Sequence, residues 1–175
     1  MTIHQINLQF YWPEEQTRSE KLEEQVTLKL TNHPEWDNVK KIAYILWCIE
    51  ESDFCILSYK NNLEYIQFTR EGRNLVMNFP YSIKWASRYY QVDRVGLILK
   101  SHGFGPNLAL GAKFLRNEDF MFMQDSYNGQ FAELEAYFGF DHERFAVEIA
   151  VEIAQKIWMI DPSVFPSVTL GSWKD

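Results

Sequence analysis

Apolar positions recur along the chain with two different periods, and the changes between them mark out the elements. Ile6, Leu8 and Phe10 alternate with polar neighbours, the period of a half-buried strand, and Pro13 closes that run. Residues 14–31 carry two signals at once. Thr17 and Glu20 have capping-box spacing ahead of EKLEEQ, whereas VTLKL, Val26 to Leu30, alternates like a strand, and both readings stay open here. After Asn32-His33-Pro34-Glu35, the spacing of Trp36, Val39, Ala43, Leu46 and Glu50 predicts a helix with Pro34 in its first turn. Its core side would be Trp36, Val39, Ile42, Ala43, Leu46 and Ile49.

Three strand-like runs follow: DFCILSY (Asp53 to Tyr59), LEYIQFTR (Leu63 to Arg70) and NLVMNFP (Asn74 to Pro80). Lys60-Asn61-Asn62 and Glu71-Gly72-Arg73 each supply a residue that tolerates positive φ, so the runs predict an antiparallel meander. Ser82 is a predicted cap for a helical stretch through Trp85 and Tyr89, and Asp93 for another that ends at Gly103. FLRNEDFMFM, Phe114 to Met123, extends the sheet, and Gln130 to Phe138 reads as helix. A last helix begins near Asp141 as N-cap and ends before Pro162.

Within that last helix lies RFAVEIAVEIAQK, which alternates at period two as well as fitting a helix. At 100° per residue Arg144, Glu148, Glu152, Gln155 and Lys156 gather on one side, and the apolar residues fill the rest. Arg144, Glu148, Glu152 and Lys156 then stand four residues apart, a solvated ladder of charges rather than a working carboxylate pair. The expected fold class is therefore α+β: an antiparallel β-sheet, made of a three-strand meander plus an extension, packed with helices and including a long C-terminal helix. Residues 1–161 are read as one domain, with 1–33 as an N-terminal extension to it and 162–175 as an extended tail without periodicity.

Composition narrows the function classes. Hydrophobic residues make up 46% and aromatics 16% of the 175 residues, which excludes disorder for most of the chain. A formal net charge of -7 gives no footprint for a phosphate backbone, so no nucleic-acid partner is expected. No apolar run reaches the ~18 residues that span a bilayer, and MTIHQINLQFYWPEE has no basic stretch followed by an apolar one. The expectation is a cytoplasmic protein with no membrane partner. Cys48 and Cys55 are too isolated for a disulfide framework and read as small buried hydrophobes.

Catalytic patterns are missing from the sequence. Gly103-Phe104-Gly105-Pro106 follows a helix and lacks the lysine of a phosphate loop, so it reads as a helix stop. Ser101-His102 has no nucleophile elbow around it. The histidines His4, His33, His102 and His142 are scattered, with no Glu-x-x-His pair for a di-metal carboxylate site. No catalytic residue, cofactor or metal is assigned, and a non-enzymatic role is expected.

The stretches YIQFTREGRNLVMNFP (Tyr65 to Pro80), VDRVGLILKSHGFGPN (Val92 to Asn107) and FAVEIAVEIAQKIW (Phe145 to Trp158) carry a resemblance. In order and character they resemble the YbjN and type III secretion chaperone-like group of small peptide-binding chaperone domains. The helix that ends in Gly103-Phe104 and continues to Pro106-Asn107 is similar to that group's L..LGW..PN pattern, with Phe104 in place of tryptophan. The resemblance implies an α+β domain, often a homodimer, that binds segments of other proteins and performs no chemistry. An alternative that suits the size and acidity is an immunity-type inhibitor that blocks a toxin by charge complementarity.

Strict alternation places Tyr65, Gln67 and Thr69 on one side of the second meander strand, and Ile66, Phe68 and Arg70 on the other. On the third strand the Leu75, Met77 and Phe79 row should face the helices, and Asn74, Val76 and Asn78 the opposite side. Val76 with one aromatic, Tyr65 or Phe68, is expected to be exposed and to form the partner surface, and Val76→Asp to be tolerated by the fold. Trp85, Tyr89 and Tyr90 complete the candidate partner-binding set, with core packing as their competing role.

Overall fold

The computed structural model describes residues 8–11, 16–59, 65–72, 74–82, 94–95, 97–99, 101–102, 105–107, 113–116, 120–127, 131–138 and 142–172. The elements run β1 (Leu8–Tyr11), α1 (Gln16–Asn32), α2 (Asn38–Cys48), β2 (Asp53–Ser58), β3 (Tyr65–Glu71), β4 (Asn74–Ser82), β5 (Gly105–Asn107), β6 (Lys113–Arg116), β7 (Phe120–Tyr127), β8 (Phe131–Phe138), α3 (Glu143–Trp158) and β9 (Ser167–Ser172). Further helical residues at 94–95, 97–99 and 101 lie between β4 and β5. The fold is α+β. Among the described residues nine strands form one sheet in the order β1-β9-β2-β3-β4-β8-β7-β6-β5. Every pairing is antiparallel except β1 with β9.

The meander β2-β3-β4 forms as its alternation predicts, and Gly72, at φ +60, supplies the left-handed residue of the β3–β4 turn. One side of this sheet is the core side. Cys55, Leu57, Ile66, Phe68, Leu75, Met77, Val168 and Leu170 join a single buried cluster with the apolar sides of the three helices. The Leu75 and Met77 row thus faces the helices, as expected. Phe68 belongs to this row's side and is fully buried, so it is unable to serve as an exposed aromatic.

The opposite side departs from expectation at one point. Val76 does lie there, in register with Thr69 on β3 and Tyr137 on β8, but it is only 1% exposed and Thr69 is buried beside it. The exposure expected of Val76 is therefore corrected, and a carboxylate at this position would be buried rather than tolerated. Tyr65 is half-buried on the same side. Trp85, Tyr89 and Tyr90 lie outside the described residues.

Four element readings are settled by packing. In α1 the stripe Leu22, Val26 and Leu30, at four-residue spacing, is buried, which decides for a helix and turns Leu28, the second apolar residue of VTLKL, out to 61% exposure. Pro34 precedes α2 in a turn, and the helix starts at Asn38 because Asp37 Oδ1 accepts the Lys40 N–H at 2.8 Å. FAELEAYF, read as helix on its Ala, Glu and Leu content, is strand β8, paired on both sides by β4 and β7. Two ladders outweigh a weak helical preference. The segment expected to be a tail holds β9, an interior strand between β1 and β2. Gly171 lies under Phe54 there, since a Cβ would stand 2.2 Å from the ring.

The helix α3 keeps its charge ladder. Arg144 Nε donates to Glu148 Oε1 at 3.2 Å, and Lys156 Nζ to Glu152 Oε1 at 2.6 Å. Asp141 lies outside the described residues, and His142 holds the N-cap position. At the other end Met159 adopts φ 57, and the following Ile160 N–H donates to Ala154 O at 3.1 Å, closing the helix. A left-handed residue with a Cβ is strained, and Met159 is 79% exposed, so its side chain contributes little packing in return. Met159→Gly is expected to stabilise the protein by about 0.5–1 kcal/mol, read as a higher urea midpoint at unchanged slope. An unchanged or lower midpoint would contradict that.

Candidate functional site

Among the described residues, four rings gather before and along the side of α2 that turns from the core. Ile42, Ile45, Leu46 and Ile49 turn inward, with Ile45 a core residue that the three- and four-residue spacing did not single out. Tyr44 and Trp47, three residues apart, fall off that stripe: Tyr44 is half-buried against the edge of the core and Trp47 faces out. Trp47 is 60% exposed. Ahead of the helix, His33 stacks on Trp36 with ring centroids 4.5 Å apart and planes 8° from parallel. Trp36 meets Tyr44 at 5.8 Å, and Tyr44 meets Trp47 at 6.1 Å. The four rings make a continuous row.

Cations and an amide fix its geometry. Lys40 Nζ sits 4.8 Å from the Trp36 ring centre and Lys29 Nζ 5.9 Å from that of Tyr44. From α1, Gln25 Nε2 donates to Tyr44 Oη at 3.2 Å and to Cys48 Sγ at 3.7 Å, which ties the row to the neighbouring helix. Partial burial pushes the Tyr44 phenol and the Cys48 thiol above their ordinary ranges, so both are neutral at physiological pH. Glu35, held below the usual carboxylate range by its backbone hydrogen bond and by His33, adds a negative charge beside the first ring. Rings whose edges are wet and whose faces are apolar suit contact with another macromolecule. They offer no nucleophile.

The remaining polar clusters are of a different kind. Arg70, on the helix side of β3, donates to the Glu143 carboxylate in the first turn of α3 and to Leu46 O at 3.0 Å in α2. Both charges are buried, and the pair ties sheet to helices. Asp53, buried near them at the start of β2, accepts the Glu50 N–H at 2.8 Å. Glu152 differs from Glu148: it is largely shielded, and besides Lys156 it meets His102 Nε2 at 2.5 Å. Its partial burial raises the carboxyl, but the bonds from Lys156 and His102 outweigh that and leave it below the usual range. The ladder reading therefore holds for Glu148, whereas Glu152 also fastens the helical segment before Gly103 to α3.

Cys55 is fully buried, which pushes its thiol up, and both cysteines are free. Among the described residues no three His, Cys, Asp or Glu side chains gather as metal ligands, and no helix is long and apolar enough to cross a membrane.

Of the expected partner residues, the structure brings Tyr65 and Val76 to one side of the sheet and Phe68 to the other. Trp36 packs against the core, as its spacing predicts, and also joins the ring row; Tyr44 and Trp47 carry no role in the sequence reading. The row's signal in the sequence is two large aromatics at i, i+3 outside the apolar stripe. Comparison with family models, with curated proteins and with solved structures found no match.

Proposed function

We propose that the protein is a non-enzymatic, cytoplasmic binding module for an extended, basic segment of another protein, in the manner of the YbjN and type III secretion chaperone-like group. The observation that carries this reading is the ring row His33, Trp36, Tyr44 and Trp47, whose first three rings are half-buried and which, tethered by α1, ends in a tryptophan that is 60% exposed. Tryptophan and tyrosine held rigid at a surface supply contact area at low entropic cost. The net charge of -7 and the exposed Glu23, Glu24, Glu50 and Glu51 on α1 and just after α2 favour a basic partner, with Lys29 and Lys40 already placed over the Tyr44 and Trp36 rings so that the acidic contacts would lie beside the row.

The sheet is a weaker candidate. Its helix side is core, and the other side is closed at Thr69 and Val76. Trp47→Ala tests the reading. A basic partner recovered with the wild-type protein, identified and then titrated as a purified segment, should lose about 2 kcal/mol, roughly 30-fold in Kd, with no change in thermal midpoint. Equal affinity for the variant would remove the row from the binding surface. Self-association abolished by Trp47→Ala would assign the row to a homodimer instead, and a toxin as the captured partner would favour the immunity-type inhibitor.

A further inference from the structure

The rings of the row are unequally occupied. Trp36 carries the stacked His33 ring and, 4.8 Å from its own ring centre, the Lys40 ammonium. Tyr44 has the Lys29 ammonium 5.9 Å from its ring centre and Gln25 on its hydroxyl. Among the described residues the aromatic neighbour of Trp47 is Tyr44, with planes 28° apart, and no cation stands over its ring. Trp47 is also the exposed ring of the four. The chain's own ammonium groups thus sit on two rings of the row, and the indole left open is the ring type that attracts a cation most strongly.

Charge also has a direction along the row. Lys29 reaches Tyr44, while Gln25, one turn earlier in α1, reaches on to Cys48, so the two helices run antiparallel and the earlier residues of α1 lie toward the Trp47 end. At the Trp36 end the rings already hold positive charge. At the Trp47 end the exposed charges are Glu24 and Lys21 on α1, with Glu50 and Glu51 just past α2, three carboxylates against one ammonium. A partner's cation is repelled from the first rings and drawn to the last. Arginine suits that position better than lysine: its guanidinium is planar and weakly hydrated, so it lies flat on an indole and still offers its edge to a carboxylate.

We propose that Trp47 is the docking site for an arginine side chain of the partner's basic segment, with the guanidinium stacked on the indole and its edge turned to the carboxylates at the end of α2. The proposal rests on the row as the docking surface for a basic segment, and adds which residue the row reads and at which end.

The probes are six-residue peptides of arginine and of lysine, equal in charge, titrated into the isotope-labelled protein and followed through its amide and indole N–H signals. Trp47→Leu identifies the Trp47 indole signal by its loss. The arginine peptide should move that signal more than that of Trp36 and bind about threefold tighter than the lysine peptide, and Trp47→Leu should erase the difference. Equal affinity of the two peptides for the wild type, or an arginine preference that survives in Trp47→Leu, would overturn the proposal while leaving the reading of the protein as a binder of basic segments in place. Binding of neither peptide would overturn both.

Discussion

Truncating Arg70 to alanine should cost about 3–5 kcal/mol, measured by urea unfolding. Its guanidinium is the buried partner of Glu143, and it also satisfies Leu46 O at the end of α2. Without it a carboxylate and a carbonyl remain in the core with no water to replace the lost bonds. Against a total stability of about 5–15 kcal/mol, that loss is enough to unfold a marginal domain. Replacing the pair together, Arg70→Met with Glu143→Leu, should recover most of it, because the cost comes from the orphaned charge and not from the absence of an ion pair. A loss under about 1 kcal/mol for Arg70→Ala would mean that water reaches the pair, since exposed ion pairs are worth that little.

Deleting Val164 to Asp175 should abolish cooperative folding. The deletion removes β9, which pairs with β1 on one side and β2 on the other. Val168 and Leu170 are fully buried, and each contributes about 1.5–3 kcal/mol on transfer from water. With two ladders lost as well, the deficit approaches the whole stability of a domain this size. The pinning of Pro162 and Ser163 by Asn38 survives the deletion, so the effect reports on the strand itself. The readout is near-ultraviolet circular dichroism with a thermal melt. A sigmoidal melt within about 4 °C of the wild type, the shift that ~1 kcal/mol produces in a domain of this length, would show that β9 is dispensable.

Those two positions also show where the sequence was readable. Alternation groups Arg70 with Ile66 and Phe68 on one side of β3 but leaves open which side meets the helices; the register of Phe68 with Met77 and of Arg70 with Leu75 puts that side on the core. The partner Glu143 lies 73 residues away, and nothing local announces that contact. In SVTLGS only Val168 and Leu170 alternate, too few positions between prolines and glycine to separate an interior strand from a tail. FAELEAYF failed for the opposite reason: its composition favours helix, and only the flanking strands β4 and β7 make it β8.

The aromatic row was legible only in part. Ile42, Leu46 and Ile49 define the inner stripe of α2, and Tyr44 and Trp47 are its exceptions. Large aromatics are usually core, and Trp36 is both: it packs against the core cluster and stacks with His33 at the start of the row. Val76 shows the converse. It lies on the side away from the helices, as alternation predicts, yet side does not determine exposure: Val76 is 1% exposed while Tyr65 and Gln67 on the same side are half-buried.

The central claim is that the outward side of α2 is where a partner docks. Titration of the isotope-labelled protein with its basic partner segment, followed through the indole N–H signals, tests it most directly. The signals of Trp36 and Trp47 should shift or broaden on binding, while that of the buried Trp158 stays in place. Binding that leaves Trp36 and Trp47 unmoved, with changes confined to other parts of the molecule, would contradict the claim.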